Sequence, residues 1–225
     1  MIKKTQSFSA VLFDLDGTLL DTAPDFYQAI CQLRKEEGLA KIPYLTIRNS
    51  VSDGAAALID ISFAIERKDP AFEALQNRLL DYYLEHIGKR SQLFEQLEEV
   101  LSWLERQSLP WGIVTNKPER FTKPLLEATN LSKRCQALVC PDQVKQRKPH
   151  PESLLLACKK IHCQPENTIY VGDHRRDIEA GNRANMKTIA ATYGYIHAND
   201  DPSQWNANYL ANSGSELLTW LQQHS

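Results

Sequence analysis

No uninterrupted apolar run in these 225 residues approaches the length of a membrane span, so no bilayer contact is expected. The N-terminal stretch MIKKTQSFSAVLFDLDG carries two lysines but no apolar segment long enough for a signal peptide; AVLF meets Asp14 at once. A basic excess is missing too. Lys and Arg number 26 against 28 Asp and Glu, a net charge of −2 that gives no electrostatic case for a nucleic-acid partner. The five cysteines, Cys31, Cys135, Cys140, Cys158 and Cys163, are odd in number and contain no CxxC. Two CxxxxC spacings leave a zinc site open, but zinc ligands are usually closer together, which favours free thiols in a reducing cytoplasm. Internal repeats and low-complexity tracts are also lacking. What remains is 42% hydrophobic and 24% charged, enough for one large domain or a core with a smaller insert.

Strand grammar recurs along the chain. SAVLF (9–13), WGIVT (111–115), ALVC (137–140), TIYVG (168–172) and KTIAATYG (187–194) are short apolar runs of the kind found in buried parallel strands. Helical stretches separate them. Residues 93–107 place Leu93, Leu97, Val100, Leu101 and Leu104 on one face, and Pro118, Pro151 and Asp177 open three more helices. Alternating strands and helices predict a doubly wound, Rossmann-like α/β core with a parallel sheet. Residues 19–91 break that rhythm, with helical stretches at 24–38, 52–66 and 69–87 and almost no strand-like run. The expected organisation is an α/β core from 1–18 and 92–225, with 19–91 inserted as a small helical cap.

Chemistry gathers where the strands end. In open α/β sheets ligands sit beyond the carboxyl ends of the strands. Asp14-Leu15-Asp16-Gly17-Thr18 follows the first strand, Thr115-Asn116-Lys117 the second, Lys148-Pro149 the third, and Gly172-Asp173 with Asp177 the fourth. Carboxylates, a hydroxyl, an amide and an ammonium drawn from distant parts of the chain suit an anionic phosphate monoester, which a carboxylate can attack only once repulsion is cancelled. Mg²⁺, a hard ion that takes carboxylates, waters and phosphate oxygens, does this. Asp14 and Asp173 are the natural carboxylate ligands, and Asp16 adds its backbone carbonyl. Thr115, the Asn116 backbone N–H and Lys148 are placed to hold phosphate oxygens. For Asp177 two readings stand together, a helix cap and a group that orients the metal's ligands.

DLDGT, the threonine after the second strand, the lysine of KP and the GDxxxD pattern of GDHRRD resemble the four motifs of the haloacid-dehalogenase-like phosphatases. The likeness runs in order over essentially the whole chain. It implies that Asp14 is the nucleophile, forming an aspartyl-phosphate, and that Asp16 is the general acid and then base. An acidic residue at position 16 implies a phosphate esterase or phosphomutase; the dehalogenases and phosphonatases of the superfamily lack that acid. The helical insert resembles the cap of the phosphoglycolate phosphatase group. AVLFDLDGTLLDTAPDF, WGIVTNKPERF, CPDQVKQRKPHPESLLLAC and TYGYIH most resemble the bacterial phosphatases that act on N-acetylmuramic acid 6-phosphate in peptidoglycan recycling. His174 departs from the family pattern, which has a small hydroxyl residue or an acid there, and is expected at the rim of the site.

Selectivity is expected from the cap. Arg48, Ser52, Asp53 and Gly54 lie on the polar turn RNSVSDGAA, which either faces the leaving group or is a solvated loop with a helix cap. An arginine there would suit a substrate carboxylate. His197 reads as a loop histidine ahead of a substrate contact, and Tyr82, Tyr83 and Trp103 read as packing.

Overall fold

The computed structural model describes residues 8–225. Positions 1–7 of the expected core segment 1–18, with the two N-terminal lysines, lie outside the described residues.

β1 (Ala10–Phe13) is wholly buried and leads into β2 (Leu20–Asp21). Four helices follow: α1 (Ala23–Glu36), α2 (Tyr44–Arg48), α3 (Ala55–Phe63) and α4 (Pro70–His86). The chain returns through β3 (Gln92–Leu93), which pairs antiparallel with β2, Leu20 opposite Leu93. After α5 (Leu97–Arg106) strands and helices alternate: β4 (Trp111–Val114), α6 (Glu119–Ala128), β5 (Ala137–Val139), α7 (Glu152–Ile161), β6 (Thr168–Gly172), α8 (Arg175–Arg183) and β7 (Lys187–Ala191). β8 (Tyr209–Ala211) and α9 (Gly214–Gln223) complete the chain.

Six parallel strands form one sheet in the order β5-β4-β1-β6-β7-β8. The doubly wound reading is therefore correct. Side-chain alternation explains the two faces. Val11 and Phe13 of β1, with Ile169 and Val171 of β6, face a core shared with α5, α6 and α9. Leu12 and Tyr170, the residues between them, face α7 and α8. Each fully buried aliphatic side chain here contributes about 1.5–3 kcal/mol. Because β4 and β6 flank β1 and the chain runs outward from β1 in both directions, the strand order reverses beside β1 and opens a crevice at its carboxyl end.

Three elements escaped the sequence pattern. β8, α2 and the β2–β3 ribbon are too short to show a period. Leu93, expected on a helix face, is in the ribbon; Gln96, at φ 66°, turns the chain before α5 begins at Leu97.

The helices α1–α4 bury their own apolar cluster, in which Phe26 stacks on Tyr83 with ring centroids 3.7 Å apart. Phe121 and Tyr195 of the α/β core join that cluster, so the cap has no separate floor. Its neck is held by two buried polar groups. The Asp25 carboxylate accepts from the backbone N–H groups of Gly88, Arg90 and Ser91 and from the Ser91 hydroxyl. The Tyr195 hydroxyl accepts from the N–H groups of Thr22 and Ala23 and donates to Asp21. Such bonds satisfy donors at the start of α1 that no helical partner could reach.

Candidate active site

The carboxyl ends of β1, β4 and β6, joined by the loop that follows β5, bring the expected residues together. Asp14 extends β1 by one residue, its N–H donating to Val171 O at 2.8 Å. Its carboxylate is buried and meets Lys148 Nζ at 2.8 Å. That ammonium is surrounded by four oxygens: Asp14 Oδ1, Val114 O at 2.8 Å, the Tyr170 hydroxyl at 2.7 Å and Asp177 Oδ1 at 2.7 Å. The cost of burying this side chain is offset because its amine hydrogens meet acceptors on every side, two of them carboxylate oxygens.

Asp173 ends β6. It accepts from the Thr18 hydroxyl at 3.1 Å and from the Tyr195 N–H at 2.8 Å. Only glycine fits at position 17: its φ is +86°, and an added Cβ would fall 2.0 Å from Asp173 Oδ2. The glycine of DLDGT thus lets the first and fourth motifs touch. Asp14, Asp173 and Asp177 each offer an oxygen within 4.8 Å of the others, all buried. Among the described residues no other cluster of this kind exists, and none includes a cysteine. The five thiols are free.

These carboxylates do not behave alike. Burial, reinforced by the charges of Asp14 and Asp177, pushes Asp173 up to about 8. Burial also raises Asp14, against the pull of Lys148. For Asp177 burial is outweighed by Lys148 and Arg176, which hold it below the usual carboxylate range. A buried trio of acids that resists full ionisation is the donor set a hard divalent cation fits, since oxygen ligands and added positive charge suit each other there. The result is a stability that depends on pH and metal. An unfolded Asp173 loses its proton near pH 3.9, the folded one only near 8, so between those values the folded state binds more protons and stability must fall as pH rises. With a chelator present, the thermal midpoint is expected to drop from pH 5 to pH 8. A divalent cation should restore it most at pH 8; a midpoint that stays level would contradict the cluster's reading.

Asp16 turns away from the trio. Its Oδ1 accepts from Thr22 Oγ1 at 2.6 Å and pairs with Lys117 Nζ at 2.8 Å. Lys117 is buried, and its ammonium lies 4.8 Å from the Phe26 ring centre and 4.6 Å from that of Tyr83. Burial would lower its pKa, but Asp16 outweighs it and holds the ammonium charged. Lys117 stands out in the sequence only as a residue after a strand; its partners arrive from the cap. Tyr83, expected as packing, is buried in the cap core and also lines the site.

Thr115 Oγ1 accepts from the Lys117 N–H, and Thr115 lines the cavity. Asn116 uses its side chain in a way the sequence does not reveal. Its amide brackets the Lys148 peptide, donating to Lys148 O and accepting from Lys148 N–H at 3.1 and 3.2 Å.

Cap and core close around a cavity of about 650 Å³. Ser52, Asp53 and Gly54 line it, as does Arg176, which no motif spacing marks. Arg176 donates to Ser52 O at 2.7 Å, and burial of its guanidinium is outweighed by Asp177, Asp14 and Asp173. Arg48 alone of that turn's four candidate residues departs from the expectation that the turn faces the leaving group. The residue sits in α2, its guanidinium binds the carbonyls of Gly194 and Tyr193 and lies over the Tyr195 ring, and it does not line the cavity. His174 caps α8 through Nδ1, which accepts from the Arg176 N–H, while Asp177 Oδ2 accepts from the His174 N–H. Asp177 is thus the third helical residue of a capping box as well as a member of the trio. His197 joins Asp53 at 2.7 Å and His174 approaches it at 3.6 Å, so neither histidine stands alone.

Comparison with known proteins agrees with this geometry. An N-acetylmuramic acid 6-phosphate phosphatase of Pseudomonas putida is 46% identical over 209 residues, 92% of this chain and 93% of that one. A phosphatase of the same name from Pseudomonas aeruginosa is 41% identical, covering 98% of this chain and 97% of its own. A phosphoglycolate phosphatase of Xanthomonas campestris is 40% identical over 92% of this chain and 94% of its own. The crystal structure of a predicted phosphoglycolate phosphatase from Haemophilus somnus superposes with a TM-score of 0.84 at 25% identity, covering 96% of this chain and 99% of that one. The model of the haloacid dehalogenase-like hydrolases matches residues 11–191, from the strand that carries Asp14 to the one beyond Asp173, and the chain belongs to that family.

Proposed function

We propose that this phosphoric monoester hydrolase is Mg²⁺-dependent and removes phosphate from N-acetylmuramic acid 6-phosphate. The observation that carries the reading is the convergence of Asp14, Lys148 and Asp173 at one end of the sheet, under a cap that encloses about 650 Å³. Ligand pockets of small molecules span about 300–1,000 Å³, so an amino-sugar phosphate is accommodated, whereas two-carbon phosphoglycolate would leave much of the space to water. The names of the Pseudomonas relatives support the same substrate.

Asp14 is the nucleophile: a carboxylate oxygen attacks phosphorus as the bond to the sugar oxygen breaks, giving an aspartyl-phosphate. Lys148 fixes the rotamer of Asp14 and adds positive charge beside the phosphoryl oxygens, with the Thr115 hydroxyl and the Asn116 N–H as further donors. Asp16 protonates the departing oxygen, then takes a proton from the water that cleaves the acyl phosphate. Both of its contacts fall on Oδ1, which leaves the second oxygen for the transfer. Asp14 and Asp173, with the Asp16 backbone carbonyl, would hold Mg²⁺, whose charge offsets the repulsion between carboxylate and phosphate. Asp177 orients Lys148 and the loop that carries Asp173. The free thiols and the absence of a membrane-spanning helix among the described residues support a cytoplasmic setting.

A panel of phosphate esters tests the assignment. N-acetylmuramate 6-phosphate is expected to give the highest kcat/KM, above N-acetylglucosamine 6-phosphate, simple sugar phosphates and phosphoglycolate, with turnover lost in chelator. The second reading, phosphoglycolate phosphatase, is favoured by the Xanthomonas relative. A clear preference for phosphoglycolate would reverse the order.

A further inference from the structure

The cavity holds more positive charge than a phosphate needs. Six cations line it, against the carboxylates of Asp14, Asp16 and Asp53. Four of the six are committed: Lys148 to Asp14 and Asp177, Lys117 to Asp16, Arg67 to Asp60, and Arg176 to Ser52 O amid the acid trio. Arg120 and Arg147 are not. Neither guanidinium pairs with a carboxylate among the described residues, and Arg120 rests only on the Phe121 ring, at 4.5 Å from its centre. Both are exposed at the rim and both sit on the α/β side, Arg147 directly before Lys148 and Arg120 in the first turn of α6. The cap wall mixes apolar Val51, Ala55, Ala56 and Leu80 with Asp53, Gln76 and Arg67, whose guanidinium is paired with Asp60.

We propose that Arg120 and Arg147 bind a carboxylate on the leaving group and so select phosphate esters that carry a second anion. The inference rests on the reading of this cavity as a phosphomonoesterase site. A phosphate held by a metal ion and Lys148 has its charge answered already, so two further unpaired guanidiniums at the mouth match a separate negative group. A planar guanidinium can hold a carboxylate through two parallel hydrogen bonds, which an ammonium cannot do. The substrates named for the relatives share that chemistry: N-acetylmuramate bears a lactyl carboxylate, and glycolate is itself a carboxylate. Arg48, spent on backbone carbonyls, is unavailable for the task.

The test is the ratio of kcat/KM for N-acetylmuramate 6-phosphate to that for N-acetylglucosamine 6-phosphate, which carries the same ester without the lactyl carboxylate. In the double variant Arg120→Gln, Arg147→Gln the ratio is expected to fall at least roughly tenfold, mostly through KM, as loss of charge-assisted hydrogen bonds requires. Arg120→Lys, Arg147→Lys should regain part of it. A fall of less than tenfold, an equal loss on both esters, or a wild-type enzyme indifferent to the carboxylate would overturn the proposal. Failure of the muramate assignment alone looks different. Phosphoglycolate would then be the preferred ester, and the glutamine variants would depress its ratio to the same reference compound.

Discussion

Asp14→Asn is expected to lower kcat by about 10⁴-fold or more on every phosphate ester, whatever its leaving group, while the protein stays folded. An amide has no anionic oxygen with which to attack phosphorus, and no other side chain occupies that position. The loss should therefore be uniform across good and poor leaving groups, unlike the loss of an acid that protonates the departing oxygen. Stability should move the other way. Asp14, Asp173 and Asp177 crowd three acids into one buried cluster, and burial already raises the first two. Removing one charge relieves that repulsion, and the Asn carbonyl can still accept from Lys148. A chelator-treated variant should melt at or above the wild-type temperature. Residual activity within tenfold of wild type would sink the nucleophile assignment.

Lys148→Met should damage both function and fold. Its side chain is 1% exposed and its ammonium touches two carboxylates and two neutral oxygens. Substitution leaves Asp14 and Asp177 facing each other with only Arg176 to answer them. Breaking a buried ion pair by removing one partner costs about 3–5 kcal/mol, a large share of the stability of an ordinary domain. Urea denaturation at pH 7 in chelator would measure it. Excess Mg²⁺ should recover part of the loss by placing positive charge back among the acids, yet turnover should stay low because Asp14 is no longer held in one rotamer. A variant within about 1 kcal/mol of wild type would mean that the ammonium is not what balances the cluster.

Much of the architecture was legible because buried parallel strands must be apolar throughout. β1, β4, β5, β6 and β7 all announce themselves as short apolar runs, the first four of them followed by polar chemistry. The Tyr209–Ala211 strand does not, since three residues at a sheet edge carry no pattern, and the Leu20–Leu93 ribbon is shorter still. Motif residues were legible for a similar reason: Asp14, Thr115, Lys148 and Asp173 each follow a strand, and strand ends in such sheets meet. Contacts that cross between cap and core were not. The aromatic setting of Lys117 depends on Phe26 and Tyr83, which reach it from 91 and 34 residues earlier in the chain. Arg48 looked like a cavity residue from its polar neighbours, but α2 aims it at residues 193–195. No local spacing encodes either arrangement.

Those cross-contacts bear on how such enzymes can be recombined. Arg48 grips the carbonyls at 193 and 194, Asp53 meets His174 and His197, and the Tyr195 hydroxyl seats the first turn of α1. A chimera that grafted residues 19–91 of one relative onto another's sheet would keep these contacts only where the stretches around 174–176 and 193–197 supply matching side chains and loop shape. The transplantable unit is therefore discontinuous, one long segment plus two short ones.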